Sequence, residues 1–508
     1  MELNSLSFLL FAAAVMLTYF AVGKIPKAQR LVLLAASVFM IVRTTWKKSL
    51  LIVVALTLVV FFIGIGIENA KKKSAQRAKT AGRGLLLAGV FSVLAVLCYF
   101  RVFTSVFLTV QELLAQRGIL ISELLMPIGL SYYALSMIGY LLDVYHAKHA
   151  AERSFLDFFC FVTYFPALLQ GPINLYRELS PQLKESHAFS YDRGVGGLQR
   201  SLWGYFKKVV VADRIGVLVA GIMQDTEAVG VSVAWAMVLF VFQLYADFSG
   251  GIDVMLGVSE VLGIRLTENF RSPLVSQSIT EFWKRWHISL GKFMEKYLYY
   301  PIVLNRRIIA LSKKIPNTYL QKVFSATLAS VAVFIVVGVW HGTGLTYFAY
   351  GCYHAFFVSM AVLLAPVYRA AKKALHIDGG SLSWRIFAAL RTFLILTCGM
   401  ILIYAQSLTQ AGEIVKRIFS KWNPWVLFDE SFLAYGLDDK NIYLMYICIL
   451  IVIAVDIIES TGFRFREALM RRDIVFRYAV YFIGVFAVLV FGMYGPEITT
   501  TAFIYQGF

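Results

Sequence analysis

The sequence predicts an all-α, polytopic membrane protein, and three observations carry that prediction. Of 508 residues, 59% are hydrophobic and only 15% are charged, with a mean hydropathy of +0.71. An ordinary soluble chain is about 25% charged, so there is too little polar surface here to coat a globule of this size. The apolar residues fall in runs of bilayer length, about 20 residues for a hydrocarbon core of about 30 Å. Between the runs lie basic loops: 48 Lys and Arg against 30 Asp and Glu give a net charge of +18. A disordered chain, a disulfide scaffold and a soluble enzyme are excluded on these grounds. The charge reads as loop charge beside anionic lipid rather than a nucleic-acid footprint.

The runs are 5–23, 30–43, 50–68, 84–110, 128–145, 154–174, 203–223, 231–263, 323–340, 344–366, 385–406, 441–459 and 476–495. They predict roughly 11 to 13 membrane segments, some broken. The 30–43 run is short enough to be tilted or interfacial, and 231–263 is too long for one untilted span, with Gly250-Gly251 as the expected break. Met-Glu-Leu-Asn at the start lacks the basic region of a cleavable signal peptide, so 5–23 reads as a retained first span. Basic clusters stand at Lys24/Lys27/Arg30, Lys71–Lys73 with Arg77/Lys79/Arg83, Arg306/Arg307/Lys313/Lys314, Arg369/Lys372/Lys373 and Arg464/Arg466/Arg471/Arg472. The positive-inside rule assigns them to the cytoplasmic side. Two spans within 30–68 then turn the N-terminus outward, although Arg43, Lys47 and Lys48 fall on the wrong side. No internal repeat is visible. One integral-membrane domain over 1–508 in the cell (inner, cytoplasmic) membrane is expected, with 408–440 as its longest non-spanning piece near the C-terminus. The five cysteines, Cys98, Cys160, Cys352, Cys398 and Cys448, form no CxxC and read as packing residues.

Ionisable residues and Gly/Pro breaks inside apolar runs are the first places to seek function in a membrane protein. Irregular backbone at that depth must line a cavity or be buried in protein. Four places qualify. In Ser278–Leu290, Ser278 and Glu281 form a capping-box pattern that starts a helix. Trp283, Trp286, His287, Leu290, Phe293, Met294 and Tyr297 then recur on one face, opposite Lys284, Arg285, Ser289, Lys292, Glu295 and Lys296. The spacing predicts a basic amphipathic helix, interfacial or re-entrant, with His287 on its apolar face; alone, that His reads as a hydrogen-bonded core residue. In Gly338–Gly344, three glycines, Trp340 and His341 interrupt an apolar stretch from Val323 to Pro366. A neutral imidazole there can take a proton from an attacking hydroxyl or thiol; the plain alternative is a tight hairpin with a satisfied His. In Gln243–Asp253, the carboxylates of Asp247 and Asp253 stand six residues apart and do not share a helix face. Pairing with Arg or backbone N–H groups is their expected role. Finally, Gln170-Gly171-Pro172-Ile173 reads as a span end shaping a cavity wall, with Asp143 as an interface residue.

There is no P-loop, Rossmann fingerprint, zinc-binding helix or nucleophile elbow. His146, His149, His187, His354 and His376 form no ligand spacing, so no metal and no tightly bound cofactor are expected. His354, 13 residues past His341, either faces the same cavity or only packs.

Three motifs carry a resemblance. Asn269-Phe270-Arg271-Ser272-Pro273, then Phe282-Trp283-x-Arg285-Trp286-His287-x-Ser289-Leu290, then Trp340-His341-Gly342 resemble the membrane-bound O-acyltransferase (MBOAT) family, in particular its bacterial alginate O-acetyltransferase branch. Ser131-Tyr132-Tyr133 through Leu142–Tyr145, Phe165-Pro166, Gly171–Ile173 and Tyr245-x-Asp247-Phe248-Ser249-Gly250 add to it. So does Phe503–Phe508, similar to the branch's aromatic ending with Gln506-Gly507 altered. The resemblance implies an all-helical bundle of about eleven membrane helices, some of them re-entrant, around a funnel or tunnel through a thinned centre. It implies that His341 stands in the position of the family's catalytic residue and His287 in that of the second active-site histidine. It further implies an acyl thioester donor (acetyl-CoA or an acyl carrier) and an extracytoplasmic glycan acceptor, often reached through a partner acyltransferase of the SGNH-hydrolase type.

Together these readings predict a membrane O-acyltransferase, first of all a polysaccharide O-acetyltransferase. His341 is the expected general base or proton relay, and His287 the residue that orients the donor or donates to the developing oxyanion. Trp283, Trp286 and Trp340 form dry walls, with Asp247 and Arg285 in the lining. Basic loops attract an anionic donor. The expected surroundings are the lipid bilayer, an exported polysaccharide, glycan synthase machinery and an SGNH-type partner, with no nucleic acid. D-alanyl transfer to teichoic acid is the alternative within the family. A transporter or flippase of glycan precursors, or a non-enzymatic scaffold for a glycan synthase, are the alternatives outside it. One distance runs against the family picture: counted from Lys322, His341 lies about 28 Å along a straight helix, near the outer face.

Overall fold

The structure, a computed structural model, describes residues 3–72, 76–115 and 127–494. Lys73 and the Phe503–Phe508 motif lie outside the described residues, as do the side chains of Lys47, Lys48, Arg77 and Lys79. Among the described residues the regular structure is helical, apart from one isolated antiparallel bridge, Phe270–Trp286. The α-helices are α1 (Leu6–Ala21), α2 (Pro26–Lys72), α3 (Gln76–Ala115), α4 (Leu130–Tyr145), α5 (Phe155–Thr163), α6 (Phe165–Leu168), α7 (Tyr176–Lys184), α8 (Tyr191–Tyr205), α9 (Asp213–Gln224), α10 (Val231–Val261) and α11 (Ile279–Arg285). They continue with α12 (Ile288–Met294), α13 (Tyr300–Val303), α14 (Arg306–Ser312), α15 (Thr318–His341), α16 (Leu345–Leu363), α17 (Ala365–Ala374), α18 (Leu382–Tyr404), α19 (Leu408–Ser420), α20 (Asp439–Ser460), α21 (Phe465–Met470) and α22 (Ile474–Phe491). Short polar side chains set many of the starts: Ser5, Ser154, Asn305, Asn317, Ser381, Ser407, Asp438 and Asp473 each accept a first-turn N–H.

Among the described residues, seven helices are long and apolar enough to cross a membrane: Ser49–Lys72, Thr80–Val102, α10, α15, α18, α20 and α22. The pair α16–α17, bent by 58°, adds an eighth if counted as one span. The chain is a multi-pass membrane protein.

The helices depart from the sequence reading in four places. The two spans expected within 30–68 are one unbroken helix, α2, because no Gly or Pro stands between Leu31 and Ile63 to turn the chain. At about 1.5 Å per residue, it is far longer than a bilayer is thick. Lys27 and Arg30 stand near its start, and Lys71 and Lys72 at its end. The 154–174 run is not a span but α5 and α6, divided where Pro166 cannot continue a helix. The 203–223 run carries a π-helical turn at Phe206–Ala212 between α8 and α9, with Lys207, Lys208, Asp213 and Arg214 all buried. Gly250-Gly251 does not break α10. Gly250 instead permits close approach: a Cβ there would lie 2.8 Å from the Gly204 carbonyl and 3.1 Å from the Lys208 nitrogen.

The chain forms two compact units, Met1–Ser201 with Ile252–Thr267, and Leu202–Gly251 with Glu268–Phe508. In the first, α4 is buried along nearly its whole length, and Asp143, read as an interface residue, is only 2% exposed. Asp253 pairs with Arg200 at 2.8 Å, as expected of it. A polar hub centres on Glu152, whose carboxylate accepts from the Tyr176 hydroxyl, the Lys184 ammonium and the Arg153 and Ser154 N–H groups. Burial pushes this carboxyl up, but those donors outweigh it and hold the group at about 2. The second unit contains both motif histidines.

Candidate active site

The second unit builds its site on the α15–α16 hairpin. A Cβ on Gly338 would lie 2.4 Å from the Tyr347 carbonyl, and one on Gly351 would lie 2.6 Å from that of Phe334. Only glycine lets the two backbones come this close, the small-residue packing typical of membrane helices. The break expected at Gly338–Gly344 falls just after His341, the last residue of α15. Trp340 and His341 are held at the hairpin tip, 6% and 5% exposed. Because α15 is unbroken, the distance measured from sequence stands: Thr318 to His341 is about 35 Å along the axis. His341 sits at the far end of a full-length span.

His287 comes from a broken segment. Ser278 caps α11 as expected, accepting the Glu281 N–H at 3.1 Å. Glu281 in turn accepts the Gln277 N–H at 2.9 Å, one residue earlier than a capping box requires. The continuous amphipathic helix expected through Tyr297 stops at Arg285. There the chain pairs with Asn269–Arg271: Arg271 N–H donates to Arg285 O and Ile288 N–H to Asn269 O, both at 3.0 Å. That pairing displaces the helical hydrogen bonds, and His287 takes a left-handed conformation, φ 48°, before α12 begins. The left-handed region costs a non-glycine residue roughly 1–2 kcal/mol, and such outliers gather at functional sites.

Asn269 then fixes the imidazole. Its Oδ1 accepts from the Ser289 N–H at 3.0 Å and the Ser289 hydroxyl at 2.8 Å, and stands 3.3 Å from His287 Nδ1. An atom that takes a backbone N–H must be the amide oxygen, so the flip is assigned by the network. His287 Nδ1–H therefore donates to it, and Nε2 carries the lone pair.

Aromatic rings connect three histidines. Centroids lie at 5.1 Å for Phe248–His287, 5.9 Å for His287–Trp340 and 4.9 Å for Trp340–His341. The series continues with His341–Tyr350 at 6.3 Å and Tyr350–His354 at 4.4 Å. Trp283 stands edge-on to His354 at 4.9 Å, and Trp286 packs on Phe282, Phe270 and Phe248. Ring contacts thus link His341, His287, Trp340, Trp283 and Trp286 in one aromatic cluster. Arg285 is engaged elsewhere, with Glu281 at 2.7 Å and the Ser272 carbonyl at 3.4 Å. Asp247 belongs to a buried ion cluster, 2.6 Å from Lys208, which also holds Asp213 at 2.8 Å. Among the described residues, no group of three His, Cys, Asp or Glu side chains is arranged to hold a metal ion.

Sequence reasoning assigned no role to Asn269 or Tyr350, and neither carries a periodic signal. It also passed over Asp456, on α20, 4% exposed and accepting the Tyr245 hydroxyl at 2.8 Å. An ionisable residue inside the 441–459 run was signal enough to mark it.

The sequence model of MBOAT, the membrane-bound O-acyltransferase family, matches residues 91–404, a stretch that contains both His287 and His341. The chain belongs to this family and is an O-acyltransferase. It is 32% identical over 387 residues to the "Probable alginate O-acetylase AlgI" of Pseudomonas syringae pv. tomato, covering 75% of this chain and 68% of that protein. A "Peptidoglycan O-acetyltransferase" of Helicobacter pylori is 28% identical over 424 residues, 78% of this chain and 75% of that protein. A "Teichoic acid D-alanyltransferase" of Bacillus subtilis is 26% identical over 237 residues, 45% of this chain and 57% of that protein.

Proposed function

We propose that this acyltransferase moves an acetyl group from a thioester donor to hydroxyls of an exported or cell-surface polysaccharide. The observation that carries the reading is the His287–Trp340–His341 arrangement in a chain whose relatives named for alginate and peptidoglycan O-acetylation match 75% and 78% of it. The relative named for D-alanyl transfer matches 45%.

In this reading the acceptor hydroxyl gives its proton to His341 as its oxygen attacks the thioester carbonyl. The C–O bond forms, the C–S bond breaks, and the proton passes to the leaving thiolate. His287 was expected to orient the donor or to donate to the oxyanion. With Nδ1–H committed to Asn269, its neutral ring offers only an acceptor, Nε2. We therefore assign it the orienting of a hydroxyl or thiol, which leaves oxyanion stabilisation to other donors. Trp283, Trp286 and Trp340, packed among the histidine rings, keep water away from them. A bundle of about eleven membrane segments around a funnel, residence in the inner (cytoplasmic) membrane, a cytoplasmic acetyl-CoA or acyl-carrier donor, and glycan synthase and SGNH-type partners complete the proposal. The test is the ester content of the exported glycan in cells lacking the chain and in cells complemented with it. Acetate restored by complementation supports the reading; D-alanine in the ester fraction replaces it with teichoic-acid chemistry; no ester change rejects both.

A further inference from the structure

Among the described residues nothing covers α17: none of its ten residues is buried. It leaves α16 at a bend of 58°. Pro366 has no N–H for the Val362 carbonyl four residues back, and the Tyr319 hydroxyl donates to that carbonyl instead, at 2.6 Å. By then α16 has run 19 residues, about 28 Å, which already matches the hydrocarbon thickness. The bend therefore falls where the chain leaves the hydrocarbon, and α17 connects it to α18, which is long and apolar enough to span again.

The surface of α17 is sorted by chemistry. At about 100° per residue, Leu364, Val367, Tyr368, Ala371 and Leu375 fall on one side, and Arg369, Lys372 and Lys373 fall on the other. Val367, Tyr368 and Leu375 are each more than half exposed. Among the described residues no carboxylate pairs with the three cations. Lys372 stands over the Trp384 ring at 4.4 Å, and Asp378, just beyond the helix, accepts the Gly380 N–H at 2.8 Å. A lone helix this short is marginal in water, so one with no buried residue needs a surface to lie on.

We propose that α17 lies in the bilayer interface, with its apolar side among acyl chains and its three cations on the phosphates of an anionic leaflet. The observations favour lipid over an acidic protein, because both flanking helices deliver α17 to the membrane surface and its apolar side meets hydrocarbon there. At its other end α16 joins the hairpin tip that holds Trp340 and His341. The contact therefore fixes the foot of that hairpin at the headgroups. The surface stands whether or not the acyl-transfer assignment does.

The test is hydrogen–deuterium exchange of the full chain in nanodiscs of phosphatidylcholine, with and without phosphatidylglycerol. Exchange across α17 is expected to be slower by about tenfold or more with phosphatidylglycerol present, while α15 and α18 exchange alike in both. High salt should erase the difference. So should Arg369→Gln, Lys372→Gln and Lys373→Gln together, none of them a buried position. Val367→Asp, which keeps the cations, should quicken exchange in both discs and carries the test if the triple variant does not fold. Equal exchange in the two discs, a difference that survives salt and the triple substitution, or parental exchange in Val367→Asp overturns the proposal. Fast exchange in both discs that slows only when an acidic protein is added overturns it too, in favour of a protein partner.

Discussion

Asn269 Oδ1 stands 3.3 Å from His287 Nδ1 while accepting the N–H and hydroxyl of Ser289, so one amide oxygen sets both the tautomer of the histidine and the start of α12. Asn269→Ala removes that acceptor and leaves the Ser289 N–H buried without it. The cost of such a loss is about 1–3 kcal/mol, or roughly ten- to a hundredfold in rate if it falls on the transition state. The expected outcome is a fall in kcat with little change in KM, partly rescued by Asn269→Asp, which keeps an acceptor in place. Steady-state acetyl transfer by the purified variants checks this.

The α15–α16 contact makes a second prediction. Gly338→Ala places a methyl 2.4 Å from the Tyr347 carbonyl and 3.0 Å from the Gly351 nitrogen. The hairpin must open, at about 1–3 kcal/mol for overpacking, and Trp340 and His341 shift with it. Thermal melts should show a lowered Tm together with lost activity. Gly344→Ala, whose nearest neighbour would be an ordinary 3.5 Å away, should behave like the parent.

Asp247 was expected in the substrate lining, yet its carboxylate lies 2.6 Å from Lys208 in the buried cluster with Asp213. Removing one partner of a buried pair costs about 3–5 kcal/mol because a charge is left behind. Asp247→Leu and Lys208→Met should both reduce the yield of folded protein and its Tm, with an unchanged KM in whatever folds. A normal Tm with a raised KM returns Asp247 to the lining.

Glu152 predicts an acid-sensitive first unit. Its folded value of about 2 lies below the roughly 4.3 of a free glutamate. A depressed carboxyl contributes its stability in full above the unfolded value and loses it as pH falls through the folded one. Tm should therefore decline from about pH 5 toward pH 2, the window set by those two values. Glu152→Gln should lower Tm at neutral pH and flatten that decline. Melts across the window in detergent decide it.

What the sequence reveals follows from the range of each interaction. The spans α15, α18, α20 and α22 appear within a few residues of their observed ends, because an uninterrupted apolar run is a local property. The hairpin break at Gly338–Gly344 was legible for the same reason. The interruption at Trp286-His287 was not. Periodicity places both residues on one helical face, and only the distant Asn269–Arg271 segment shows that the backbone there pairs instead of coiling. Asn269 entered the reading as part of a motif without a role, since its partners lie 18 and 20 residues away. Asp253 found the Arg expected of it, whereas Asp247 found a Lys from within an apolar run whose own charges had been overlooked.

The central claim is that His341 handles the proton of the acceptor hydroxyl. The most direct measurement is the acetyl-ester content of the exported polysaccharide in cells carrying His341→Ala at parental protein level, with the purified variant melting at the parental temperature. Acetylation at the level of cells without the chain is the predicted result. Parental acetylation from that folded, fully expressed variant contradicts the account.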